Sequence, residues 1–204
     1  MNTTDLRPIA ALYVDVERGP YAKMPGVDAW GIERDAKRYG KARFSPCDPV
    51  VAHPPCGPWG KMAHLCTKQD KSAAPEAVVQ VLAHGGVLEH PAYSKLWDFM
   101  DLPKPGEPSQ WLYDGTEVYT VEVDQCDYGH PCQKRTWILC VGVPRDAWPA
   151  PPPKGTPTHV IDTSSASKKT GENRGAGKYL PKSKRHITPQ PFADLLVHLA
   201  RSVT

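Results

Sequence analysis

The chain has 204 residues, 40% of them hydrophobic, enough for one α/β domain with a real core and too few for two large ones. Its 25 Lys and Arg against 22 Asp and Glu leave a net charge of +3, too small to select a partner by itself. No stretch approaches the ~18 apolar residues of a membrane span, and no secretory leader pattern opens the chain. The six cysteines are therefore expected to be thiols in a reducing cytoplasm, with no disulfide and no membrane partner.

In chain order, Ala10 to Val16 reads as a buried first strand, β-branched and aromatic, ending near Asp15. Val27 to Ile32 reads as a second strand, followed by Glu33 and a short helix over Arg34 to Tyr39. An acid in that position suits ribose hydroxyls in dinucleotide-type folds, and equally suits the opening turn of a helix. The segment Asp48 to Gly60 runs an apolar strand into a rigid Pro-Pro turn that presents Cys56. Ser72 to Ala83 carries a helical apolar face with Ser72 as its cap, and it stops at Gly85-Gly86. The next strand, Gly86-Val-Leu-Glu89, delivers a carboxylate to a loop that begins with Pro91.

Glu117 to Val123 and Thr136 to Val143 read as strands able to pair antiparallel. The last element is a helix capped by Thr188, with Phe192, Leu195, Leu196 and Leu199 on one face as core packing. The 23 prolines crowd into loops, notably 101–109 and 144–157. Seven Lys or Arg lie between Lys168 and Arg185 against one acid, Glu172, which reads either as a phosphate-binding footprint or as a solvated tail. The expected organisation is a core over residues 1–143, a Pro/Gly/Lys-rich flexible loop over 144–187, and a helix over 188–204 that packs back on the core. Strands alternating with helices argue a doubly wound α/β sheet with active residues at the carboxyl ends of strands.

Three strand-end motifs carry the chemistry: His53-Pro-Pro-Cys56, Leu88-Glu89-His90-Pro91, and Tyr128-Gly-His-Pro-Cys-Gln-Lys-Arg135. In their order and spacing these resemble the DNA cytosine-5 methyltransferases, whose nucleophile follows Pro-Pro and whose later motifs are a strand ending in Glu-Asn and a Tyr-Gly-x-Pro-Gln-x-Arg-x-Arg. The resemblance covers roughly residues 10–142 and implies an α/β, Rossmann-like sheet with flanking helices, a reduced methyltransferase-like core. It implies that Cys56 adds to ring carbon 6 of cytosine, that Glu89, its pKa raised by burial, holds ring nitrogen 3 protonated, and that Arg135 binds the nucleotide and orders the cysteine loop.

It further implies S-adenosylmethionine as cofactor, with Asp15, Glu17, Gly19, Glu33 and Asp48 as its residues, and DNA as the first-choice partner. Pro55, Trp59, Tyr128, Gln133, Lys182, Lys184 and Arg185 are the candidates for contacting nucleic acid. The chain departs from the pattern where Glu89 is followed by His90, where Gln133 stands for an arginine, and where Glu17 to Gly26 leaves room for only one helical turn in place of a glycine loop and helix. Three alternatives remain open on the residues alone. One is a zinc site from His53, Cys56, His64, Cys66, Cys126, His130 and Cys132, against which no metal is the preferred expectation. The others are a nucleotide- or nucleic-acid-binding relative without cofactor, and an enzyme acting on free pyrimidine nucleotide.

Overall fold

The computed structural model describes residues 6–31, 35–40, 48–60, 63–66, 70–107, 111–161 and 178–204. A seven-stranded mixed sheet organises the molecule, in the order β2-β1-β3-β4-β7-β6-β5. Its strands are β1 (Ile9–Leu12), β2 (Val27–Trp30), β3 (Val50–Ala52), β4 (Gly86–Pro91), β5 (Leu112–Tyr113), β6 (Thr116–Asp124) and β7 (Arg135–Val141). The first four run parallel, while β7 lies antiparallel between β4 and β6.

β1 and β3 are buried at every residue, as expected of central parallel strands covered on both faces. Successive side chains go to opposite sides. Leu12, Ala52, Leu88 and Leu139 meet Val78 and Val81 of helix α1 (Ala73–His84) and Trp97 of the short helix α2 (Lys95–Phe99). Ile9, Val51, Val87 and Ile138 meet Phe192, Leu196 and Leu199 of α3 (Gln190–Arg201) on the other face. Gly86 lets β4 start hard against β3, since a Cβ there would overlap the Val50 carbonyl oxygen.

Several elements differ from the sequence reading. β1 stops at Leu12 because Tyr13 turns the chain with φ 61° and the Asp15 carboxylate accepts from the amides of Glu17 (3.0 Å) and Arg18 (2.9 Å). The β1–β2 crossover holds one 3₁₀ turn, Pro20–Lys23, and the expected 34–39 helix shortens to a 3₁₀ turn over Ala36–Arg38. Ser72 sits at the cap position of α1, but its hydroxyl bonds Asp70. α3 starts after Pro189 with no side-chain cap, so Thr188 does not serve as one.

The Pro-rich segment is hydrogen-bonded to the rest of the chain where it is described. Asp127 accepts from Lys154 Nζ (2.9 Å) and the Gly155 amide (2.8 Å), and the Pro131 carbonyl accepts from the amides of Thr158 and His159. A two-stranded parallel pair, β8 (His159–Val160) with β9 (Lys178–Tyr179), follows.

Candidate active site

β3 and β4 end side by side, and their carboxyl ends build the site. Beyond Ala52 the two prolines hold the chain extended to Cys56, where it closes into a 3₁₀ turn over Gly57–Trp59; the amides of Trp59 and Gly60 donate to the Cys56 carbonyl at 3.0 and 3.1 Å. Cys56 is the exposed thiol among the described cysteines; Cys126, Cys132 and Cys140 are buried and Cys66 is half-buried. Glu89 lies one strand over, 8% exposed.

Glu89 is the most heavily coordinated group here. His53 Nδ1 lies 3.0 Å from Oε2, and Gln125 Nε2 donates to Oε1 at 3.0 Å. The Tyr21 hydroxyl stands 2.6 Å from His53 Nε2. Tyr21 is fully enclosed, and burial, reinforced by the Glu89 charge, pushes its phenol well above the ordinary range, so it is an O–H donor. A neutral His53 that accepts from Tyr21 at Nε2 carries its proton on Nδ1 and donates to Glu89. Gln125 Oε1 is left buried beside this chain of bonds without a partner among the described residues.

The expectation that burial keeps Glu89 protonated does not survive the geometry. Burial does push its carboxyl up, but the Lys134 ammonium and the hydrogen bond from His53 outweigh it and hold the carboxyl below its ordinary range. Glu89 is therefore a carboxylate at rest. Crowding in the turn, and then the Glu89 charge, raise the Cys56 thiol above its ordinary value, with Lys134 opposing. The resting site thus holds one proton on sulfur and none on Glu89.

Lys134, half-buried at the start of β7, bears on both Cys56 and Glu89. It takes φ 43°, and Tyr13 and Tyr93, at the ends of β1 and β4, take φ 61°. Three non-glycine residues in left-handed backbone thus line one edge of the sheet, the sort of strain that functional sites retain.

The other sequence candidates separate into those near the site and those away from it. Arg135 is exposed, its Nε 3.4 Å from Glu122 and 3.9 Å from Asp124 while Nη1 donates to the Tyr93 hydroxyl at 3.2 Å, and it stands at the rim. Pro55 is half-buried, with its backbone against His90. Trp59 is a core residue, packed on Phe99 at 5.0 Å between centroids. Tyr128 packs on Phe192 at 5.3 Å, on the α3 face. Gln133 donates to Asp124 at 3.0 Å. Arg185 is tied to the Leu180 carbonyl at 2.9 Å and Lys184 is exposed, while the Lys182 side chain and residues 162–177 lie outside what is described.

The residues expected for S-adenosylmethionine do not converge. Asp48 stands at the amino end of β3, the edge opposite Cys56, and its carbonyl accepts from Tyr39. Asp15 and Glu17 are exposed, and Asp15 uses up the amides that a carboxylate- or phosphate-binding loop would offer. A Cβ at Gly19 would crowd the Asp15 carbonyl at 2.5 Å. Glu33 lies outside the described residues. The described residues therefore do not fit the methionine end of that cofactor.

Among the described residues no three His, Cys, Asp or Glu side chains group so as to hold a metal ion, and no helix is long and apolar enough to cross a membrane. No protein-family model matches this chain, and no curated protein matches it.

Sequence reasoning missed His53, Tyr21, Gln125 and Lys134. His53 was visible three residues before Cys56, but that spacing suggested a metal ligand. One consequence is directly measurable. With its thiol pKa raised, Cys56 should alkylate slowly with iodoacetamide at neutral pH, the rate still climbing above pH ~10, where an ordinary thiol of pKa ~8.5 has levelled off. Glu89→Gln should shift that profile to lower pH and Lys134→Met to higher pH; profiles unmoved by both changes would separate the two groups from Cys56.

Proposed function

We propose that this protein acts covalently on a pyrimidine base of nucleic acid, with Cys56 adding to ring carbon 6 of cytosine, as the resemblance to the cytosine-5 methyltransferases implies. The observation that carries the reading is an exposed thiol at one strand end, set beside a buried, histidine-bound carboxylate at the next, with one lysine acting on both. A merely structural pair has no need of that lysine or of a thiol left open to solvent.

The chemistry follows from the resting protonation. Thiolate addition to carbon 6 pushes the electron pair of the 5,6 double bond toward carbon 5 and the ring, and a proton on nitrogen 3 keeps negative charge off the base. In net terms one proton leaves sulfur and one arrives at nitrogen 3. Glu89 is the carrier, taking the proton from sulfur and passing it to nitrogen 3, and it ends as the carboxylate it began as, held in place by the His53 N–H. Lys134 stabilises the thiolate as it forms. Carbon 5, now enamine-like, takes an electrophile, and elimination of the thiolate with loss of the carbon-5 proton restores the aromatic ring.

A site of this kind exchanges the carbon-5 hydrogen with solvent whatever group it finally transfers. Incubated in deuterium oxide with a cytosine-containing single-stranded oligonucleotide, the protein should enrich carbon 5 in deuterium, read by mass spectrometry of the released nucleosides. No enrichment above the protein-free rate, with the oligonucleotide bound, would refute the proposal. As the loop after β1 does not fit S-adenosylmethionine, the exchange should proceed without it.

A further inference from the structure

Beside the Cys56 turn lies a cleft of 370 Å³ whose walls the addition chemistry does not use. Its volume falls in the range of about 300–1,000 Å³ usual for small-molecule sites. Gly60, whose amide bonds the Cys56 carbonyl, forms one wall; His90, Ala92, Tyr93 and Ser94, leading out of β4, form the other, and Arg135 stands at the rim.

Two of these residues are poorly explained by folding. His90 is 1% exposed and lines the cleft, and although the Pro55 backbone lies against its ring, neither ring nitrogen makes a hydrogen bond of normal geometry among the described residues. Burial holds its pKa at about 4 against the pull of Glu89, so the ring is neutral and offers one donor and one acceptor. Tyr93 is 59% exposed with φ 61°, a backbone region that bulky residues avoid. Its ring leans on Trp137 at 5.3 Å and its hydroxyl accepts from Arg135, so an exposed aromatic face is held in place at the cleft's lip.

The charge at the rim narrows the ligand. Glu122 and Asp124 set two carboxylates against the single Arg135 guanidinium, so the rim does not favour a phosphate. What fits is flat, uncharged and edged with donors and acceptors.

We propose that the cleft is a second base subsite, which takes the base adjoining the reacting cytosine in a single strand, stacked on Tyr93 with its polar edge on His90. This rests on Cys56 being the nucleophile, because only then does a cytosine sit next to Gly60. Sequence-tolerant stacking on an aromatic is the common way to hold single strands.

The test uses two trinucleotides with a central 5-azadeoxycytidine, one flanked by thymines and the other by abasic sugars, titrated calorimetrically against the Cys56→Ser protein so that no chemistry intervenes. The thymine-flanked probe should bind roughly tenfold or more tightly. Tyr93→Gly, which also relieves the left-handed backbone, should erase that preference, and Tyr93→Phe should keep it. Equal binding of the two probes, or a preference unmoved by Tyr93→Gly, would overturn the subsite. A preference that depends on Tyr93, in a protein whose Cys56 forms no adduct with either probe, would support the subsite and refute the nucleophile.

Discussion

Glu89→Gln should lower carbon-5 exchange by about 10²- to 10⁴-fold, the span of a lost general acid–base group, while leaving the fold intact. Glutamine keeps the shape and the acceptor toward His53 but can neither carry a proton nor hold the charge that Lys134 and His53 face. The same substitution removes the carboxylate that raises the Cys56 thiol, so it should make that cysteine more reactive to alkylation as catalysis falls. A purely structural Glu89 would give the reverse pattern, lost stability with exchange per folded molecule unchanged.

Trp97→Ala should cost about 3–5 kcal/mol, a large part of the ~5–15 kcal/mol that holds an ordinary domain together. The indole is fully buried, packed edge-on against Trp137 at 5.4 Å, and its Nε1–H donates to Thr120 Oγ1 at 2.9 Å. It also supports His90, at 6.2 Å between ring centroids, and so underlies the cleft. Urea unfolding should show a large drop in midpoint. Phe99→Ala, two residues on and 65% exposed, should change stability by less than about 1 kcal/mol under the same conditions. Similar losses for the two would contradict the placement of α2.

The positions of Cys56 and Glu89 were legible in the sequence because each follows an unbroken apolar run and meets a proline, and a short buried strand admits few other readings. The hairpin of β6 and β7, α1 and the packing of α3 were legible for similar reasons of period and length. What sequence could not supply was direction in space. Asp48 and Cys56 are eight positions apart, but a strand between them puts them on opposite edges of the sheet. Lys134 and Arg135 are adjacent, and since neighbouring residues face opposite ways, the start of β7 and the left-handed backbone at Lys134 decide which cation meets Glu89.

The motif assigned Arg135 to the nucleotide, and the fold adds Lys134, whose charge bears on Cys56 and Glu89. Trp59 and Tyr128 were aromatic and near the motifs, and each serves the core because a packing partner, Phe99 or Phe192, stands across from it. His53 was misread because its partners, Tyr21 and Glu89, are 32 and 36 residues away, a separation that no local pattern encodes.

The central claim is that Cys56 is the nucleophile toward carbon 6 of cytosine. A nitrogen in place of carbon 5 makes carbon 6 more electrophilic and itself takes the proton that follows thiolate addition, so the thioether persists without any group transfer. The direct measurement is intact-protein mass spectrometry after incubation with a single-stranded oligonucleotide carrying one 5-azadeoxycytidine, followed by peptide mapping. One oligonucleotide per protein should be attached at Cys56, and none to Cys56→Ser. An oligonucleotide that binds without a mass-shifted species, or attachment at another residue, would contradict it.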